Sequence, residues 1–186
     1  MVRKQAMADL RKIWTELGIP ADYAATRGLA LQSEATELIS IGADNQGRDC
    51  QLAPGAAQAW RAMRGAALPE GITLQPVSGF RSVERQAELI RNKLVRGLCL
   101  DEILRSNAAP GYSEHHTGRA LDLTDGVAPP LSESFGDTQA FAWLKRNAER
   151  FGFRLSYPRN NAQRVVYEPW HWCWRAKEPS AGLPAP

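Results

Sequence analysis

All three histidines of this chain stand close to carboxylates, in two short segments. GYSEHHTGRALDLTD, residues 111–125, holds His115, His116 and Asp122. YEPWHWCW, residues 167–174, holds Glu168 and His171. Neutral imidazole and carboxylate are the nitrogen and oxygen ligands of zinc, and a catalytic zinc takes three protein ligands and keeps a fourth position for water. His115, Asp122 and His171 would supply that set. Glu168 has the chemistry of a general base for such a water. Arg81, in SGFRS, could stabilise an oxyanion or hold a substrate carboxylate.

Taken singly, each residue also has a plain structural reading. A histidine is commonly a hydrogen-bonded structural group, an arginine a surface ion pair and a tryptophan part of a core. Asp122 is harder to explain in that way. Aspartate is depleted in strands, and one between Leu121 and Leu123 needs a partner. The grouping of the histidines with acids carries more than any one position.

These side chains need elements to position them. Leu10, Ile13, Trp14 and Leu17 fall at helical spacing over 3–17, with Gly18 and Pro20 to end the helix. ELISIGAD (37–44) reads as a strand running into a turn at 45–47. APGAAQAWRAMRGAA (53–67) reads as a helix with Pro54 near its start. ITLQPVSGF (72–80) reads as an edge strand, because Pro76 cannot donate to a ladder. Ser82 is placed to cap a helix over 82–97, and a shorter helix is expected at 100–106. GRALDLTD (118–125) alternates like a strand, with Gly118 allowing a sharp change of direction. Thr138 would cap a helix closed by Gly152. FRLSY and RVVYEPWHWCW are expected as two strands around PRNN. On an ideal strand positions 168 and 171 face opposite ways, so a bend at Pro169 is needed to bring both to one cleft. Helices early and strands late predict an α+β fold with an antiparallel sheet.

The bulk properties exclude several classes. A net charge of +3 without a dense Lys/Arg run gives no nucleic-acid footprint, although mild basicity suits an anionic substrate. Three dispersed cysteines with no CxxC make neither a disulfide framework nor a cysteine zinc motif, and free thiols favour a reducing compartment. Asp9, Arg11 and Lys12 interrupt the apolar run that a signal peptide needs, so no signal peptide is visible, and no membrane span is expected. The localisation expected on those grounds is cytoplasmic, or the cell envelope if another route exports the protein.

SEHHTGRALD at 113–122 resembles the SxHxxGxAxD signature of the zinc D-alanyl-D-alanine carboxypeptidases, a family that includes vancomycin-resistance D,D-carboxypeptidases, L,D-carboxypeptidases and endolysins. EPWH at 168–171 is similar to their ExWH motif, and SGFRS followed by Gln86 to their substrate-side element. The resemblance implies that zinc, one per chain, is held by His115, Asp122 and His171, leaving His116 at a variable position. It implies Glu168 as the base that activates water, and Arg81 at the scissile carbonyl or the substrate carboxylate. Ser113, Gln86 and Trp170 are implied on the substrate side. The implied fold is the small hedgehog/D,D-peptidase-like α+β domain. The implied activity is hydrolysis near the C-terminal D-alanine of a peptidoglycan stem peptide or muropeptide. L,D cleavage, endolysin-like cleavage and a non-catalytic zinc-stabilised binding domain are the alternatives. Residues 1–49 are expected as an extension packed on a zinc carboxypeptidase domain at 50–175, with a disordered tail at 176–186 and a monomeric state.

Overall fold

The computed structural model describes residues 2–176. The tail expected at its end therefore lies, from 177 on, outside the described residues. In chain order the elements are helix α1 (Val2–Leu17), helix α2 (Tyr23–Arg27), strand β1 (Ile39–Ala43), strand β2 (Asp49–Leu52), helix α3 (Pro54–Ala67) and strand β3 (Gln75–Ser78). Helix α4 (Val83–Val95), helix α5 (Leu100–Ser106), strand β4 (Ala120–Thr124), helix α6 (Gln139–Asn147), strand β5 (Phe153–Leu155) and strand β6 (His171–Trp174) follow. Short 3-10 turns cover Glu114–Thr117 and Ala148–Phe151, among others.

The fold is α+β with antiparallel pairing, as expected. The order of elements differs from the expectation, because helices and strands interleave rather than segregating into two halves. β1 and β2 form a separate two-stranded sheet, and the other strands form a four-stranded sheet in the order β3-β4-β6-β5. Pro76 lies in β3, which is an edge strand of that sheet, and the ladder to β4 shifts register between Pro76 and Ser78.

One face of the sheet is apolar. Leu121, Leu123, Trp172 and Phe153 pack with Trp60 and Met63 of α3 and with Trp143 and Leu144 of α6. A second cluster joins Leu17, Ile19 and Tyr23 to Ala87 and Ile90 of α4 and to Ile103 and Leu104 of α5. The first fifty residues thus complete a core rather than trailing from one. They also hold the segment before β4. Trp14 Nε1 donates to Pro110 O (2.8 Å), the amide of Gln32 to Gly111 O (2.8 Å) and the amide of Ala35 to His116 O (2.8 Å).

Local signals account for most boundaries. Ser82 Oγ accepts from the Arg85 amide at the start of α4, and the Glu34 carboxylate accepts from the Val83 amide. Thr138 Oγ1 accepts from the Phe141 amide at the start of α6. Gly152 ends the helical stretch at φ +83°. The expected strand over 164–174 is corrected: only His171–Trp174 is strand, and Glu168–Pro169–Trp170–His171 is a turn closed by the His171 amide donating to Glu168 O (3.1 Å).

Gly118 sits at φ +62°, and a Cβ there would lie 2.8 Å from the Ala53 amide nitrogen. Replacing it with alanine combines a left-handed backbone with a clash against main chain. Gly118→Ala is expected to cost at least about 1 kcal/mol, read as a lower midpoint in urea unfolding. An unchanged midpoint would show that the turn relaxes freely.

Candidate active site

Strand register builds the centre. Asp122 of β4 stands directly opposite His171 of β6, and opposite Ser78 of β3 on its other side. Alternation along β4 sends Leu121 and Leu123 into the core and Asp122 to the other face. His115 arrives from the 3-10 turn Glu114–Thr117, whose start is capped by Ser113 Oγ accepting from the His115 amide (3.3 Å). Gly118 then reverses the chain into β4.

His115 Nε2 lies 3.2 Å from Asp122 Oδ2, and His171 Nδ1 lies 2.9 Å from Asp122 Oδ1. All three residues are buried, and their potential ligand atoms lie within 4.8 Å of one another. Tetrahedral zinc with bonds of about 2.0–2.1 Å places its ligand atoms about 3.3 Å apart, so the donor set fits such an ion. The outer nitrogens are fixed as well. His115 Nδ1–H donates to Gly79 O (2.6 Å), which leaves Nε2 with its lone pair facing inward. His171 Nε2 lies 3.0 Å from Glu114 Oε2, which leaves Nδ1 facing inward. Ser156 Oγ donates to the same Glu114 oxygen (2.5 Å), and Arg175 stands 3.4 Å from the other. A ligand histidine oriented through its second nitrogen by a carboxylate or carbonyl is the usual outer shell of a metal centre.

The electrostatics call for a cation. Burial would raise Asp122, but the two histidines outweigh it and hold its carboxyl well below the usual range. Burial likewise opposes ionisation of Glu114, yet the His171 and Ser156 hydrogen bonds bring it down to about 2. His171 is pushed up to about 10, burial opposing and the hydrogen bonds to Asp122 and Glu114 prevailing. Burial lowers His115. Two ionised carboxylates thus converge on His171 and demand positive charge there.

Glu168 comes from the Pro169 turn, with Oε2 3.9 Å from His171 Nδ1. Burial chiefly raises it, to about 7. Arg81 is half-buried and braced: Nη1 donates to Gln86 Oε1 and Nη2 to Ser78 Oγ, each at 2.9 Å. Its backbone is tied to both histidines of the turn. The Arg81 amide donates to His115 O (3.1 Å), and His116 Nδ1–H donates to Arg81 O (2.6 Å). His116 Nε2 accepts from the Gly111 amide (3.1 Å). Both nitrogens of this fully buried ring are therefore committed away from the cluster.

All eight residues singled out in the sequence line one cavity of about 240 Å³: Arg81, Gln86, Ser113, His115, Asp122, Glu168, Trp170 and His171. Trp170 belongs to the core as well, being packed in the main apolar cluster. The sequence reading missed Glu114, Tyr157 and Tyr23. Tyr157 packs against His171 with tilted rings whose centroids are 4.9 Å apart, and Tyr23 lines the cavity from α2. Glu114 had a usable signal, an acid adjoining His115 in a serine-capped turn. The tyrosines had none, since only tertiary packing brings them in.

The family described as VanY, D-alanyl-D-alanine carboxypeptidase, matches residues 49–177. The chain belongs to this family. YodJ of Bacillus subtilis is 38% identical over 120 residues, covering 62% of this chain and 43% of YodJ. A D-alanyl-D-alanine carboxypeptidase of Enterococcus faecalis is 32% identical over 118 residues, covering 58% of this chain and 42% of that protein. The chain thus spans less than half the length of these two VanY-family relatives. Among solved structures, the LD-carboxypeptidase LdcB superposes with a TM-score of 0.67 at 32% identity, over 77% of this chain and 70% of LdcB. VanYB in complex with D-alanine-D-alanine gives a TM-score of 0.59 at 26% identity, over 84% of this chain and 80% of that one. A VanY variant in complex with Zn(II) gives 0.59 at 26%, over 77% and 80%. Among the described residues no helix is long and apolar enough to cross a membrane.

Two substitutions separate the outer shell from the inner. Glu114→Gln is expected to weaken zinc binding by about 10–100-fold while the protein stays folded, measured by competition with a chromophoric chelator. His116→Ala is expected to keep the metal and lose stability. Zinc affinity unchanged in the first, or lost in the second, would contradict this division.

Proposed function

We propose that the chain is a zinc carboxypeptidase that removes the C-terminal D-alanine of a peptidoglycan stem peptide. The observation that carries the proposal is the convergence of His115, Asp122 and His171 beside Glu168 in a family described as D-alanyl-D-alanine carboxypeptidases. His115 Nε2, an Asp122 oxygen and His171 Nδ1 would hold one zinc. When bound, zinc at this place supplies polarisation of the scissile carbonyl and acidification of a water, towards a pKa of about 7.

The chain's own groups do the rest. Glu168, desolvated and beside the ligands, accepts the proton of the attacking water and returns it to the leaving amine. Arg81, held by Ser78 and Gln86, offsets the negative charge that grows on the carbonyl oxygen. Ser113 and Trp170 shape the substrate side. Glu114 and Gly79 keep both imidazoles aimed, so the geometry needs no rearrangement during turnover.

A second reading, hydrolysis of an L,D bond, draws on the likeness to LdcB, described as an LD-carboxypeptidase. Mass spectrometry of pentapeptide and tetrapeptide stems incubated with zinc-loaded protein distinguishes the two. Loss of one alanine from the pentapeptide alone supports the D,D reading, and trimming of the tetrapeptide supports the other. Internal cleavage, or none, contradicts both.

Glu168→Gln keeps size and most hydrogen bonding but cannot take a proton. Turnover is expected to fall by about 10²–10⁴, with zinc content and melting temperature unchanged. Normal turnover would remove Glu168 from the mechanism. Arg81→Lys is expected to lower kcat/KM at constant zinc content, because an ammonium cannot reproduce the braced planar fork. Wild-type kinetics in that variant would place Arg81 outside the reaction.

A further inference from the structure

The cavity is lined by charges of both signs: Asp122 and Glu168 beside the histidines, and the cations Arg81, Lys93 and Arg105. Lys93 is half-buried on α4. It stands two helical turns after Gln86 on the same face, about 10 Å along the axis. Long helical side chains lean toward the helix N-terminus, so its ammonium returns toward Gln86 and Arg81. The Lys93 ammonium donates to Asn107 Oδ1 and forms no ion pair among the described residues. An ammonium has three donors, so this one neutral acceptor leaves two of them open to a ligand.

Its neighbours are fixed in place around it. Asn107 Nδ2 donates to Ser106 O (2.9 Å), and Gln86 Nε2 donates to Ala108 O (2.6 Å), which ties α4 to the end of α5. Arg105 stands exposed at the rim, where its carbonyl accepts from the Val166 amide (3.1 Å). A cation set into a rigid wall with no carboxylate in ion-pair contact among the described residues is a place for a ligand's anion. Burial disfavours the charged ammonium and Arg81 adds to that, while the Glu168 carboxylate offsets part of it.

We propose that Lys93 is a specificity-determining residue that receives a carboxylate of the peptide substrate, with Arg105 drawing the same charge at the mouth. This rests on the carboxypeptidase reading above and adds the substrate class: peptides that present a free carboxylate within about three extended residues of the scissile bond. Two sources share that chemistry, the C-terminal carboxylate of the leaving residue and a side-chain carboxylate of the residue before the D-alanines.

The test uses the full chain, zinc-loaded, as wild type, Lys93→Met and Lys93→Arg. The probes are D-alanyl-D-alanine peptides whose preceding residue carries a free side-chain carboxylate, the same peptides with that carboxylate amidated, and the C-terminal amides. KM and kcat are measured, and Kd is measured by calorimetry in a Glu168→Gln background. Lys93→Met is expected to raise KM and Kd about tenfold for the free acid, the usual order for a lost charge-assisted contact, with kcat little changed. The penalty vanishes for whichever amide removes the partner, and this names the source. Lys93→Arg restores most of the binding. The same loss on every peptide, accompanied by a lower melting temperature, would show a structural lysine and overturn the proposal, as would no loss on any. Peptides that bind but are never cleaved by the wild type would defeat the carboxypeptidase reading, while the Kd comparison still decides the role of Lys93.

Discussion

Everything in the centre depends on one buried carboxylate held between two imidazoles. Asp122 lies inside a sheet strand with apolar neighbours on both sides in sequence, where a lone carboxylate would be very costly. His115 and His171 take its two oxygens at 3.2 and 2.9 Å. Removing one partner from a buried ionic arrangement costs about 3–5 kcal/mol, because the charge left behind stays buried. That penalty ties fold to site. Because side chains alternate along a strand, a one-residue slip between β4 and β6 would turn Asp122 into the core and Leu121 or Leu123 out of it. The register Asp122↔His171 is thus fixed by the core and by the cluster together.

The surroundings serve that arrangement in layers. Gly79, Glu114 and Ser156 fix the outer edges of the two imidazoles. His116 turns away from the cluster and instead fixes the Arg81 carbonyl, so the adjacent histidines do different work: one faces the cavity and the other braces the arginine beside it. The N-terminal segment supports the same loop from outside through Trp14, Gln32 and Ala35. Cys173 lies on the same strand face as His171, but burial pushes its thiol well above the ordinary range, so it is a poor thiolate ligand.

The sequence showed much of this because the elements carry local signals. Ser82 and Thr138 as caps, Pro54 at a helix start, Pro76 on an edge strand and Gly118 and Gly152 at positive φ each act within a few residues. The cluster was legible for a different reason: histidines are scarce here and stand beside acids within two compact motifs. What escaped depends on distance. Alternating tryptophans made 164–174 look like one strand, yet Pro169 and the Glu168–His171 turn end the ladder before His171, and that turn brings the glutamate round to the histidine. The elements α2 and β2 were missed because both are short and weakly patterned. Tyr23 and Tyr157 reach the cavity only through tertiary packing, and the bond from Glu114 to His171 spans a sequence separation that no local pattern records.

The central claim is that these three side chains hold one zinc with an open position. X-ray absorption at the zinc edge of the loaded protein tests it most directly. The account predicts a first shell of nitrogen and oxygen at about 2.0–2.1 Å, with the outer-ring scattering of two imidazoles and no sulfur. A sulfur shell at about 2.3 Å, which would bring in Cys50 or Cys173, or a shell without imidazole, would contradict it.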